Sequence, residues 1–358
     1  MALRGVIIVQ GGLNKMNMDP IKTKMVETAF QSRALIYTLE SLPLPMLYEL
    51  ITGQKRTTPD PELQKKIVEK AQALLALDSK EYVELGLPIK DLVEKQPHKH
   101  LKRWLKILGD GTLSFWRRRN NKTQVFSSKV KNLDEFPEYY RRNFHHQTDG
   151  YFTEESASMY EHQVEILFRG LADPMRRRLL KPLLKKLKNK KKPRILDLAC
   201  GTGAFTQMIR QALPNAEITA VDISPAYLQH AKKRFANDPN INFLIGKSED
   251  LPFKDQSFDA VVCVFLHHEL PRKVREKSLD ESLRVCKKSG FWGMVDSIQL
   301  GDDEDLDWAI SEFPKNFHEP FFTNYIKNSL IDYLSTKHGH RKFKKEIHML
   351  SQVLYSDK

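Results

Sequence analysis

The chain has 358 residues, 41% of them hydrophobic, a formal net charge of +13 and three cysteines. That length builds one large domain or two smaller ones around a real core, and the composition excludes a collagen-like chain, a disordered chain and a disulfide scaffold. Cys200, Cys263 and Cys286 stand far apart without metal-ligand spacing, which fits a reducing compartment and argues against a zinc site. The positive charge suggests an anionic partner such as RNA, lipid or an acidic small molecule, or else a lysine-rich solvated surface.

The first 18 residues, MALRGVIIVQGGLNKMNM, contain no acid and one short apolar patch, Val6–Val9. The patch is too short for a signal-peptide core, the stretch has weak transit-peptide character, and Met16 and Met18 offer alternative starts. No apolar run reaches the length that spans a bilayer, so a cytoplasmic protein is expected.

From about Met25 to Lys131 the pattern is mainly helical. In PDPELQKKIVEKAQALLALDS, Asp60 is a helix N-cap and Ile67, Ala71, Leu74, Leu75 and Leu77 follow near helical spacing. HKHLKRWLKILGDG is a second amphipathic helix, with Leu101, Trp104, Leu105 and Leu108, expected to stop at Gly109-Asp110-Gly111. Residues 132–192 form a connecting region. It is rich in aromatics, and a helix opens at Thr153-Glu154-Glu155-Ser156. In MRRRLLKPLLKKLKNKKKPR, Met175, Leu179, Leu180, Leu183, Leu184 and Leu187 share one helical face, and Pro182 is placed to kink it. Arg176, Arg177, Arg178, Lys181, Lys185 and Lys186 crowd the other face. Two uses compete: a membrane or RNA surface, or a helix packed on a sheet with its charges in water.

From residue 193 onward, strands that are apolar nearly throughout alternate with helices. They are RILDLA, EITAVDIS, INFLIGKS, FDAVVCVFL and FWGMVDSIQ. This predicts an α/β fold, a doubly wound, mostly parallel seven-stranded sheet behind a helical N-terminal region, with ligands at the carboxyl ends of the strands. KFKKEIHML and SQVLYSD are expected to close it as a hairpin. The resulting division is 1–131, 132–192 and 193–358, with a substrate insertion at about 300–330.

The glycine turn in DLACGTGAF is not a nucleotide P-loop, because Ala204-Phe205 stands where Lys-Ser/Thr is required. Nor does it fit a dinucleotide fold, since Thr206 holds the third glycine position. Asp197-x-Ala199-x-Gly201-x-Gly203 instead resembles the first motif of the class I S-adenosylmethionine-dependent methyltransferases, with Ala199 in place of the first glycine. Asp222 follows nineteen residues after Gly203, in AVDIS at the end of the second strand, where the resemblance implies that it accepts from both ribose hydroxyls and that Ile223 flanks the adenine. In GKSEDLPF, Lys247 occupies the place of the family's Asp or Asn, so the adenine contact shifts to Ser248 or Glu249. SFDAVVCVFLHHEL resembles the fourth-strand motif of the small-molecule type 11 branch, which includes the ubiquinone and menaquinone methyltransferases, and VCKKSGFWGMVD its helix–turn–fifth strand with a turn at Ser289-Gly290. Together these motifs cover residues 190–300.

The resemblance implies transfer of a methyl group from S-adenosylmethionine to a small apolar or aromatic acceptor. The cofactor-binding residues it implies are Asp197, Ala199, Cys200, Gly201, Gly203, Asp222, Ile223, Ser248, Glu249 and Phe265. His267, His268 and Glu269 lie just past a strand end and are the candidates for proton transfer, although positioning alone accelerates a displacement with a good leaving group. The aromatic segment FPKNFHEPFFTNY is a candidate lid, with His318, Glu319 and Tyr325. HHQTDGYF, with Tyr151, and Tyr160 would close the site from the other side. Two other functions stay open. One is an RNA or protein methyltransferase using the basic surface, although FLHHEL stands where nucleic-acid amino methyltransferases carry an N-P-P-Y loop. The other is a non-catalytic cofactor-binding or lipid-surface protein.

Overall fold

The computed structural model describes residues 19–55, 58–92 and 96–357, so the readings of the first 18 residues lie outside it. Seven strands form one sheet in the order β3-β2-β1-β4-β5-β7-β6. They are β1 Arg194–Leu198, β2 Glu217–Asp222, β3 Ile241–Ile245, β4 Phe258–Val264, β5 Cys286–Ser297, β6 Lys344–His348 and β7 Ser351–Ser356. β1 to β5 pair in parallel, and β7 and β6 add antiparallel as the expected hairpin. The central strands are buried along nearly their whole length, as helices on both faces require. The strand order reverses between β1 and β4, so the loops after these two strands part and leave a crevice.

Three elements differ from expectation. The turn at Ser289-Gly290 lies inside β5, which starts at Cys286 and shifts register against β4. A Cβ on Gly290 would stand 2.8 Å from the carbonyl oxygen of Asp259, so this bulge needs a glycine for close approach. The helix Pro97–Arg119 runs straight through Gly109-Asp110-Gly111. Asp110 is buried there near Arg117, and a Cβ on Gly111 would already meet Leu44 of the helix Pro43–Thr52 at 3.4 Å. Helix crossing, rather than chain termination, explains that glycine.

The basic segment is the third difference. It forms two short helices, Ala172–Arg177 and Leu180–Leu187, and Arg176, Arg177 and Arg178 do not face water. They are only 3, 6 and 4% exposed. Arg177 grips Asp78 with Nε at 3.0 Å and Nη2 at 2.6 Å, while Arg178 donates to Asp78 at 2.5 Å and to Glu81 at 2.8 Å. Arg176 pairs with Glu161 and Asp173, and Lys181 with Glu81 and Glu84. Of the charges for which an RNA or lipid surface competed with plain solvation, Arg176, Arg177, Arg178 and Lys181 are therefore spent on acids of the helix Pro61–Glu84 and its neighbours. Burial of three guanidiniums is tolerated because each is matched by carboxylates in hydrogen-bond geometry.

Opposite the charges, Leu179, Leu180, Leu183 and Leu187 pack onto the sheet. They share a single core with Val26, Phe30, Leu74 and Tyr82 of the N-terminal helices and with Ile195, Ile209 and Val262. The N-terminal helices are thereby part of the same hydrophobic body as the sheet.

Candidate active site

The loop after β1 turns through three left-handed residues, Ala199 at φ +55°, Gly201 at +54° and Gly203 at +81°. The two glycines do different jobs. A Cβ on Gly201 would meet nothing closer than 4.0 Å, leaving room beside the backbone for a ligand, whereas one on Gly203 would stand 2.9 Å from Phe235. Gly203 thus lets the helix Ala204–Ala212 pack closely and does not line the cleft. Ala199 has no such licence, and holding an L-residue in this region costs about 1 kcal/mol.

Asp222 ends β2 and faces this loop. Its carboxylate accepts from the amides of Gly201 and Ser224, both at 2.8 Å. These two bonds fix the carboxylate while leaving lone pairs open toward the cleft. Burial pushes its pKa up to about 6. Asp197 lies deeper, takes the Thr206 hydroxyl at 2.5 Å, and is pushed up to about 7 by burial. The cleft measures about 1010 Å³ including its mouth. Asp197, Ala199, Cys200, Gly201, Asp222, Ile223, Ser248 and Phe265 all line it, as do Glu161, Arg176 and Lys247. Glu249 does not; it accepts instead from the Tyr139 hydroxyl at 2.7 Å.

The connecting region roofs this cleft. Tyr140, Phe144, Tyr151 and Tyr227 form a buried aromatic cluster over Ile223. The Ser224 hydroxyl donates to the Tyr151 carbonyl at 2.6 Å, and the Thr202 hydroxyl to Glu161 of the helix Glu154–Leu167. Sequence reading placed Tyr151 and Tyr160 here and missed Tyr140, Glu161 and Arg176. Glu161 and Arg176 lie in amphipathic helices whose polar residues have no reason, by spacing alone, to turn inward.

A second, apolar chamber shares Tyr160, Phe265 and Glu269 with the cleft, and its other walls include Val164, Leu167, Phe168, Ile310, Phe313 and Phe322. Phe265 stands between the two, in the left-handed region at φ +57°, with the Arg176 guanidinium 5.5 Å above its ring. Strain in a bulky residue at such a place is typical of functional sites. Through His145, Tyr160, Val164 and Leu167 the chamber continues into an outer cleft of about 1060 Å³ under Leu44, Ile107 and Phe115.

The three proton-transfer candidates separate. Glu269 lines both cavities and accepts from the Tyr151 hydroxyl at 2.6 Å. His268 faces the chamber, and its Nδ1 is held by Asp296 at 2.5 Å. Burial opposes charge on this ring, but Asp296 and Glu319 outweigh it and raise the pKa to about 9. His267 is only 1% exposed and lines neither cavity; its ring lies between Asp296 and Ser278. It is a packed residue because it follows the bend at Phe265 on the inner side of the chain. Tyr325 is likewise fully buried, donates to the Ser297 carbonyl at 2.5 Å, and lines neither cavity. His318 also lies outside both, its carbonyl accepting from the His145 amide.

Glu319 is buried, and both its oxygens lack a hydrogen-bond partner, although His145 Nε2 is 3.0 Å from Oε1. Asp296 is the important residue that sequence reading passed over, while His145 entered it only as the first residue of HHQTDGYF, with no role of its own. Asp296 had a legible signal: like Asp197 and Asp222, it is an acid in an apolar strand, at the end that bears ligands.

The parallel sheet with this strand order, the glycine turn after β1 and the fixed carboxylate at the end of β2 are the arrangement that the resemblance to the class I S-adenosylmethionine-dependent methyltransferases implies. The family model for the methyltransferase domain matches residues 195–290, so the chain carries a methyltransferase domain there. The chain is 33% identical over 134 residues to a demethylmenaquinone methyltransferase of Thermotoga maritima, covering 37% of this chain and 55% of that protein. It is 42% identical over 99 residues to the demethylmenaquinone methyltransferase of Clavibacter sepedonicus, covering 27% and 38%. A solved S-adenosylmethionine-dependent methyltransferase from Aquifex aeolicus superposes with a TM-score of 0.37 at 20% identity, over 52% of this chain and 94% of that one. The chain spans about half or less of the length of the curated relatives it matches. Among the described residues no helix is long and apolar enough to cross a membrane.

Proposed function

We propose that the chain transfers a methyl group from S-adenosylmethionine to an acceptor that is apolar or aromatic and held in the chamber behind Phe265. The observation that carries this reading is the shared wall: Tyr160, Phe265 and Glu269 face both cavities, so a donor in one and an acceptor in the other meet there. The continuation toward Leu44 and Phe115 leaves room for an acceptor with an apolar tail, and exposed Leu42, Met46, Leu113 and Trp116 stand beside these residues in the chain. Two of the relatives are named for demethylmenaquinone. In this reading residues 193–357 are the catalytic core and the described residues before them its cover.

The cofactor, when bound, supplies an electrophilic methyl on a sulfonium that leaves as a neutral thioether. The chain's residues fit it. Asp222 offers two acceptor oxygens to vicinal hydroxyls, Ile223 an apolar face, Ser248 a hydroxyl, and Gly201 an open backbone. Around the transfer point the chain mainly orients and excludes water, which suits an in-line displacement. Tyr151 holds Glu269 at the shared wall to take a proton from an acceptor hydroxyl or acidic carbon, and Asp296 fixes His268 through Nδ1 so that its Nε2 lies on the side of Glu319. Calorimetry tests the foundation: the protein should bind S-adenosylmethionine, and absence of binding ends the proposal. The acceptor class is then tested with methyl-labelled cofactor against phenols and quinols with and without apolar tails; labelling of none of them, with labelling of RNA or protein instead, would reverse it.

A further inference from the structure

We propose that His145, Glu269 and Glu319, with His268 as a fourth donor, bind a first-row divalent cation at the wall of the acceptor chamber. This rests on the acceptor chamber assigned above. One ligand atom from each of the first three residues lies within 4.8 Å of the others. His145 Nε2 is 3.0 Å from Glu319 Oε1 and 3.8 Å from Glu269 Oε1, and His268 Nε2 is 4.0 Å from Glu319 Oε1. Ligands at about 2.1 Å from one ion stand about 3.0 to 3.4 Å from each other in octahedral or tetrahedral geometry, so small side-chain movements close this set.

The stronger observation is Glu319 itself. The residue is only 3% exposed, and neither carboxylate oxygen has a hydrogen-bond partner. A buried carboxylate without hydrogen bonds is costly and rare, and it asks for a cation. His145 approaches it closely but off the hydrogen-bond axis, as two ligands of one ion do. His268 is presented in the manner of a metal ligand: Asp296 fixes Nδ1, leaving Nε2 toward Glu319.

Two imidazoles with two carboxylates suit zinc, iron, cobalt or manganese better than calcium or magnesium, which prefer oxygen alone. His268 and Glu269 line the chamber, so a cation held by them would offer its open positions to an acceptor hydroxyl or carbonyl oxygen. An acceptor carrying oxygen is thus the class that the site would select.

The test uses tag-free full-length protein stripped with a chelator. Cobalt is titrated while visible absorption is followed, and zinc is titrated by calorimetry. The expected result is one cobalt bound with the absorption of nitrogen–oxygen coordination. Glu319→Gln and His145→Gln should each weaken it at least as much as loss of an outer-shell partner does, about 10–100-fold. His145 is partly exposed, so its variant keeps the test alive if the Glu319 variant does not fold. Glu40, His100 and His162 also gather three donors among the N-terminal helices. Binding that survives both variants and disappears in His162→Gln would put the ion there and overturn the assignment, as would no binding by the wild type. Cofactor binding is measured on the same samples. Cobalt bound without S-adenosylmethionine would leave the site standing and remove the methyltransferase reading; the reverse would do the opposite.

Discussion

The cofactor cleft and the acceptor chamber share a wall but are built in different ways. The floor of the cleft is made by short consecutive stretches, the turn after β1, the end of β2 and the loop after β3, and only its roof, with Tyr140, Tyr151 and Glu161, comes from far away in the chain. Backbone conformation and a terminal carboxylate decide its shape. The chamber is assembled from residues 145, 160–168, 265–269, 310–322 and 350, which only tertiary packing brings together. A local site tolerates change elsewhere in the chain. An assembled one depends on how firmly its distant parts are docked.

The largest effect is therefore expected far from either cavity. Asp78→Ala strands Arg177 in the core and leaves Arg178 with Glu81 alone, and breaking such a buried network should cost about 3–5 kcal/mol. Thermal unfolding should show it. If the comparison holds, the acceptor chamber fails before the cleft, so weak cofactor binding should outlast methyl transfer. Equal loss of both would erase the distinction.

Next comes Asp222→Ala. It removes the acceptors for two hydroxyls and orphans the amides of Gly201 and Ser224, a loss of about 2–4 kcal/mol in cofactor affinity by calorimetry. Affinity within threefold of the wild type would mean that the cleft does not depend on this carboxylate.

The pH profile sharpens the same point. Burial raises Asp222 to about 6, so it gains a proton as the pH falls through that value and loses acceptor capacity. Cofactor affinity should drop about tenfold from pH 7 to pH 5, since one proton must then leave on binding. Asp222→Asn should flatten the part of the profile centred on 6. The sign for folding is opposite. Raised carboxyl values in Asp197 and Asp222 mean that the cofactor-free fold gains stability as the pH falls through 7 and 6, and loses it as the pH rises.

The smallest change is local. Ala199→Gly relieves a left-handed residue, offset by the greater freedom of glycine in the unfolded chain, for a gain of up to about 1 kcal/mol in denaturant unfolding. Destabilisation instead would show that the methyl group of Ala199 packs usefully in the turn.

The chain alone made legible the sheet, its strand alternation, the hairpin at the end, and Asp197, Gly201, Asp222 and Ile223 as neighbours in one cleft. All of these follow from periodicity and from motifs confined to a few residues, where the physics is local. Tertiary structure decided the rest. Composition could not show that Arg177 and Arg178 point inward, because their partners Asp78 and Glu81 lie about a hundred residues away. Nor could spacing separate His267 from His268. Adjacent residues leave the end of β4 in different directions, and only the bend at Phe265 sends one ring into the core and the other toward Glu319. His145 and Glu319, distant in sequence, could be linked only by the fold that places them 3.0 Å apart, because a buried carboxylate takes its meaning from its neighbours.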